Sequence, residues 1–186
     1  MGRVVYNMSV SLDGRVDSPA GSLDWVNVDE HIHQLFNDEA REMSAFLLGR
    51  GMYEPLQAFW PTADADPSAS PVIADFARIW REKPKYVFSR TLAEVDPGSS
   101  LIREAGRDEI ERVKREAGGD VSVGGPGLAS ALIRLGLVDD YVIYLNPVVL
   151  GGGRPYFPAL EMPLNLRLAS ARPLHSGVVR LEYRRP

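Results

Sequence analysis

What most constrains this chain is the way its strand-like runs end. The stretch AFLLG, Ala45–Gly49, is a continuous apolar run of strand length, and it opens without a linker into the helical pattern RGMYEPL, which Pro55 is expected to stop. DVSVG, residues 120–124, passes in the same way through Gly124, Gly125, Pro126 and Gly127 into a helix carrying Leu128, Leu132 and Leu135 and closed by Gly136. A run that is apolar on both faces needs cover on both faces, and alternating helices supply it. The chain is therefore expected to build a sheet whose strand ends deliver helix N-termini to one edge.

The remaining runs fit that frame. Residues 4–12 are β-rich and stop at the turn signal Asp13-Gly14; a helix spanning residues 27–43 carries Ile32, Leu35, Phe36 and Ala40 at helical spacing. After a Pro/Ala/Asp loop over residues 60–71 come a helix over 72–83 and a strand over 84–90, PKYVFSR. RDEIERVKREAGG reads as a solvated surface helix, with Ile110, Val113 and Ala117 on one face and Asp108/Arg112 and Glu111/Arg115 paired four apart. A strand over 139–150 and a hairpin around Ser176-Gly177 close the chain. The sum is an α/β sandwich with helices on both faces of a mostly parallel, mixed sheet and antiparallel strands at the C-terminal end. At 186 residues it is expected to form one domain.

Bulk properties remove several functions. Lys and Arg total 21 against 25 Asp and Glu, a formal net charge of −4, so nothing draws the whole surface to nucleic acid or anionic lipid. With no cysteine there is no disulfide framework, thiolate nucleophile or cysteine zinc site, and no metal site is expected. The N-terminal stretch is broken by Asn7, Ser9, Ser11 and Asp13, so it makes neither a signal-peptide core nor a membrane span, and a cytoplasmic location is expected.

The chemistry concentrates at three strand ends. A glycine-rich strand-to-helix junction leaves free N–H groups and a positive dipole end pointing outward, which suits an anion. The knot at Gly124, Gly125 and Gly127 is by itself equally readable as a tight turn; it is neither a Rossmann fingerprint nor a Walker A loop. Gly49-Arg50-Gly51 repeats the arrangement and adds a guanidinium, and Ser89-Arg90-Thr91 ends a third strand in two hydroxyls and an arginine. Arginine forks and hydroxyls suit a phosphate monoester, and paired helix N-termini suit a pyrophosphate. Together the three junctions imply one extended, multiply phosphorylated ligand across the C-terminal edge of the sheet.

Four ordered segments, LLGRGMYE, PKYVFSRTL, VSVGGPGLASAL and VDDYVIYLNPVVLGGGRPYF, following SLDG near the start, resemble the dihydrofolate reductase superfamily. More closely they resemble the branch containing the C-terminal reductase domain of the bifunctional riboflavin-biosynthesis deaminase/reductase. The resemblance covers nearly the whole chain and implies a dihydrofolate-reductase-like three-layer sandwich, NADPH as cofactor, a small-molecule substrate and a homodimer. It implies that Gly49, Arg50 and Met52 meet the cofactor at the second helix, that Ser89, Arg90 and Thr91 hold the adenosine 2′-phosphate, and that Gly124, Gly125, Gly127 and Leu128 wrap the pyrophosphate and the nicotinamide side. The run Gly151-Gly152-Gly153 is read as backbone geometry supporting that site.

Two carboxylates are the candidates for catalysis. Asp13 sits at the mouth after the first strand, where it either orients a polar substrate group or simply makes a turn. Glu30 lies five residues after Trp25, the spacing at which the resemblance places a pterin-engaging carboxylate; the commoner reading is a capping box with Asn27. The chain departs from the folate enzymes after GRGMYE, where the inserted PLQAFWPTADADPSASPVIADFARIW leaves no evident counterpart of the arginine that takes the folate tail. The riboflavin-type reaction, reduction of a ribosylamino pyrimidine phosphate at a C=N or similar group, is therefore preferred. Dihydrofolate reductase-type activity and non-catalytic nucleotide binding on the same fold are the alternatives. His31 and His33, two apart on a helix, point about 200° apart and are expected at the surface or an interface. Trp25, Phe59, Trp60 and Trp80 are expected either to frame a flat heterocycle or to pack as core.

Overall fold

The structure, a computed structural model, describes residues 2–186. Eight strands form one sheet: β1 (Val4–Ser11), β2 (Ala45–Gly49), β3 (Lys85–Phe88), β4 (Ser99–Ile102), β5 (Val121–Gly124), β6 (Asp140–Asn146), β7 (Arg167–Pro173) and β8 (Val179–Arg184). Five helices connect them: α1 (Glu30–Glu42), α2 (Arg50–Phe59), α3 (Pro71–Glu82), α4 (Arg107–Ala117) and α5 (Pro126–Arg134). The sheet order is β4-β3-β2-β5-β1-β6-β8-β7. Every pairing from β4 to β6 is parallel, and β8 joins β6 and β7 antiparallel.

Alternation along the strands sorts the core into two layers. Ala45 and Leu47 of β2, Tyr86 and Phe88 of β3 and Tyr141 of β6 face α4 and α5, whose Ile110, Val113, Leu128 and Leu132 are buried with them. Phe46, Leu48 and Val87 point the other way, onto Tyr53 of α2 and Ile79 and Trp80 of α3. Val5, Val142 and Tyr144 meet Ile32 of α1 on that same side. A strand with apolar residues at every position can be satisfied only in such a three-layer arrangement, as expected.

Several boundaries differ from the sequence reading, each for an identifiable physical reason. β1 stops at Ser11 because the Leu12 N–H turns away to donate to the Val148 carbonyl at 2.8 Å. Pro55 does not stop α2, which runs on to Phe59; the bond the proline cannot make would fall on Gly51, on the exposed side of the helix, where water can replace it. α1 is capped by Asp29 and not by Asn27: the Asp29 carboxylate accepts from Ile32 N at 2.8 Å, while Asn27 N–H donates to Asn146 Oδ1 at 2.9 Å. On α4, Arg112 pairs with Glu109 and Glu116 and Lys114 with Glu111, replacing the expected partners. β4 is a short edge strand, SSLI, with no alternation strong enough to read. β6 ends at Asn146, before Pro147, which has no N–H for a ladder. The closing hairpin turns as expected through Ser176 (φ 58°) and Gly177 (φ 75°). Among the described residues no helix is long and apolar enough to cross a membrane.

Candidate functional site

The topology fixes where a ligand can sit. β3, β2 and β5 are consecutive parallel neighbours, so their C-terminal ends emerge side by side, about 5 Å apart from strand to strand. After β2 the chain moves one way along the sheet, toward β3; after β5 it moves the other way, past β1 to β6. The helices that begin these two excursions, α2 and α5, lie on opposite faces, and the crevice between their N-termini is a topological switch point. A cleft of about 280 Å³ opens there, lined by residues 49–52 of the first junction, 124–128 of the second, and Arg154.

The glycines of this cleft are there for two different reasons. Gly125 caps α5 at φ 91°, a conformation open to few side chains, and a Cβ on Gly124 would stand 2.9 Å from Leu48 Cδ2. These two shape the junction. Gly51 and Gly127 differ: a Cβ on either would meet nothing within 4 Å. Their bareness keeps the first turns of α2 and α5 open toward the cleft, and neither helix has a side-chain cap to occupy its first N–H groups. Two uncapped helix starts in one crevice, with side-chain-free space between them, fit a dinucleotide pyrophosphate.

The strand-three junction is physically joined to the strand-two junction. Arg50 donates from Nε to both Glu54 carboxylate oxygens at 3.0 Å and from Nη1 to Thr91 Oγ1 at 3.1 Å. Ser89 is buried, and its hydroxyl accepts from the N–H groups of Thr91 (3.2 Å) and Leu92 (3.0 Å), so it shapes the turn. The same turn is held from beneath by Arg103, which donates to the carbonyls of Ser89 (3.2 Å) and Leu92 (2.5 Å) and was not singled out in the sequence. Arg90 is exposed and has no hydrogen-bond or ion-pair partner among the described residues. Of this triplet, Arg90 and the Thr91 hydroxyl are the groups turned toward solvent, and Ser89 is their support.

Asp13 is engaged by the chain around it. Its carboxylate accepts from Leu150 N (3.0 Å), Gly151 N (2.9 Å) and Ser11 Oγ (2.7 Å), and these bonds, the Leu150 amide foremost, hold it at about 2. A carboxyl that stays ionised at neutral pH is no proton donor, and each of its oxygens accepts an N–H from the loop after β6. Of the two roles the sequence allows, the contacts present are those of the turn: Asp13 joins two loops.

It is one of a series of such joints. Val16 N donates to Arg154 O (2.9 Å), Tyr156 N to Gly14 O (3.0 Å), and the buried Asp17 carboxylate accepts from both the backbone N–H (2.7 Å) and the Nε (2.5 Å) of Arg154. Gly153 lies inside this seam at φ 104°, where a Cβ would fall 1.9 Å from the Asp17 carbonyl oxygen. Gly153 thus lets one loop lie flat on the other. Arg154 is the cleft residue that the sequence reading missed; its local signal was an arginine directly after a glycine run, and its partner Asp17 is 137 residues away.

Glu30 opens α1, is exposed and has no hydrogen-bond partner among the described residues; it is not among the residues lining the cleft. The capping box with Asn27 does not form. His31 stacks on His175 with ring centroids 4.8 Å apart, and His33 packs against Trp60 and Phe76. Trp80 is core, Trp60 and Phe59 cluster with Phe76 in the inserted segment, and Trp25 donates to the Ser22 carbonyl at 3.1 Å. None of these aromatic residues lines the cleft.

Comparison with known proteins agrees with this geometry. The family model described as the RibD C-terminal domain matches residues 3–180. YyaP, an uncharacterized protein of Bacillus subtilis (strain 168), is 31% identical over 182 residues, covering 97% of this chain and 94% of that protein. The Thermotoga maritima diaminohydroxyphosphoribosylaminopyrimidine deaminase/5-amino-6-(5-phosphoribosylamino)uracil reductase superposes with a TM-score of 0.69 at 16% identity; all of this chain aligns with 57% of that larger one. Dihydrofolate reductase from Enterococcus faecalis, complexed with NADP(H) and RAB-propyl, superposes with a TM-score of 0.62 at 13% identity, covering 99% of this chain and 96% of that one. The two structures share the dihydrofolate-reductase-like fold with this chain.

Proposed function

The chain belongs to the RibD C-terminal domain family, and from that premise we propose that it is an NADPH-dependent reductase of a small pterin- or pyrimidine-like molecule. The reaction that fits best is hydride transfer to a C=N or similar group, as in 5-amino-6-(5-phosphoribosylamino)uracil reductase. One observation carries the cofactor reading: three ligand-ready junctions stand on adjacent strand ends, and Gly51 and Gly127 keep open space where they converge.

In this reading the first-turn N–H groups of α2 and α5 receive the pyrophosphate. Arg90 and Thr91, one strand further out, receive the 2′-phosphate that distinguishes NADPH from NADH. Gly124 and Gly125 let the chain run close to the nicotinamide side. When bound, the nicotinamide supplies the hydride; the protein's part is to hold donor and acceptor in register. Asp13 positions the loop that borders the acceptor. Glu30, whose carboxylate has no partner among the described residues, is the side chain assigned to orient the substrate, with water as the proton source.

The inserted segment supports a substrate without a folate tail. It forms the end of α2 and α3 as far as Trp80, and its one arginine, Arg78, is held by Asp75, as Arg81 just beyond it is held by Asp64, so its cations are engaged within the segment's own surroundings.

Thermal unfolding with NADPH, with NADH and with neither tests the reading. At a hundredfold excess over Kd, NADPH should add about 2.7 kcal/mol, a rise of roughly 5–10 °C in Tm for a chain of this size. No rise would sink the cofactor assignment. Arg90→Ala should weaken NADPH about tenfold and leave NADH unchanged; an unaltered preference would refute the 2′-phosphate contact.

A further inference from the structure

Arg154 is where the seam between the two loops meets the cleft, and its side chain is divided between them. The buried Asp17 carboxylate, 4% exposed, takes the Nε of Arg154 at 2.5 Å and its backbone N–H at 2.7 Å, whereas the Arg154 side chain is 65% exposed. A guanidinium has five N–H donors, and Asp17 uses the one nearest the backbone. The outer edge, with Nη1 and Nη2, has no partner among the described residues, and Arg154 lines the cleft onto which the first turns of α2 and α5 open. Arg50, the other arginine lining that cleft, has its Nε on Glu54 and an outer nitrogen on Thr91.

We propose that Arg154 is a cofactor-binding residue that grips the pyrophosphate through its outer guanidinium edge, with Asp17 as the residue that positions it. This rests on the dinucleotide reading of the cleft and extends it. The planar edge of a guanidinium matches two oxygens of a phosphate, and a side chain already fixed at Nε gives up little freedom on binding. The location selects which phosphate. Arg154 belongs to the loop after β6, joined to the loop after β1, so it approaches the β2–β5 crevice from the side opposite β3. Because it lines the same cleft as the first turns of α2 and α5, it is assigned to the central pyrophosphate, and the 2′-phosphate stays with the β3 junction.

Titration of NADPH and of NADH into the unaltered protein, Arg154→Gln and Arg154→Lys distinguishes this from its rivals. Because the pyrophosphate is common to both nucleotides, Arg154→Gln should weaken both by the same factor, about tenfold or more. Arg90→Ala in contrast should touch NADPH alone. Arg154→Gln leaves Asp17 buried without its cation and so carries a folding cost; Arg154→Lys keeps a cation beside Asp17 but has no second edge, and it should stay folded while losing affinity for both nucleotides. Unchanged affinity in a folded Arg154→Lys overturns the proposal. So does a loss confined to NADPH, which would move the contact to the 2′-phosphate. Unaltered nucleotide binding with a raised KM for the reducible substrate would assign Arg154 to a substrate anion and overturn it equally. If the unaltered protein binds neither nucleotide, the dinucleotide reading falls and the Arg154 assignment falls with it; if it binds both and the variants match it, only Arg154 falls.

Discussion

Two glycines on the same edge of the sheet, Gly127 at the start of α5 and Gly153 in the loop after β6, face opposite surroundings. A Cβ on Gly127 would meet nothing within 4 Å, and one on Gly153 would fall 1.9 Å from the Asp17 carbonyl oxygen. The same contrast holds for the polar groups around them. In the seam, the carboxylates of Asp13 and Asp17 have their acceptor sites filled by N–H groups of residues 150, 151 and 154. In the cleft, α2 and α5 begin without side-chain caps and the outer edge of Arg154 is unspent, as is Arg90 at the neighbouring β3 end. Polar capacity already used inside the protein builds a scaffold, and capacity left over beside empty space marks where a ligand belongs.

The two glycines give the widest test of that distinction. Gly153→Ala must move backbone against backbone at a positive φ, and it should cost on the order of 3 kcal/mol of stability, read by urea unfolding. A stable Gly153→Ala would mean that the seam is not packed as described. Gly127→Val should leave stability within about 0.5 kcal/mol, since the side chain enters open space in a first helical turn. It should nevertheless weaken NADPH at least about tenfold, because the isopropyl group fills the volume that the nucleotide needs. A Gly127→Val protein that binds as tightly as the unaltered chain would remove the cleft from consideration as the cofactor site.

Most of the frame was legible because its signals are local. AFLLG and VSVG advertise buried strands by composition, and α4 advertises itself by period and by the Gly118 that closes it at φ 72°. The cleft was legible for a related reason: glycines at strand ends are a local necessity wherever a backbone must approach something. What escaped depends on long-range partners. Nothing near Asp13 in sequence says that the N–H groups of Leu150 and Gly151 will fill its carboxylate, and nothing near Arg154 names Asp17. Asn27 has the residue type and spacing of a cap, but Asn146, 119 residues away, takes its N–H, and Asp29 caps in its place. β4 pairs with β3 without a pattern of its own, so only its neighbour could reveal it.

The smallest effect expected from the comparison lies in the acid limb of stability. Asp13 is held at about 2 in the folded chain by Leu150, Ser11 and Gly151, below the ordinary aspartate value of 3.8 that it regains on unfolding. A carboxylate depressed in the folded state binds fewer protons there than in the unfolded chain across that window, so its contribution is complete above about pH 4 and drains away as pH falls toward 2. Asp13→Asn, which cannot accept at both oxygens, should be less stable than the unaltered protein at pH 6, with the gap narrowing as the pH drops to 2.5. Urea midpoints at pH 6, 4 and 2.5 read it directly. A gap that stays constant, or widens toward acid, would show that Asp13 does not fasten the loop through its ionised form, and would reopen the possibility that its carboxylate faces the substrate.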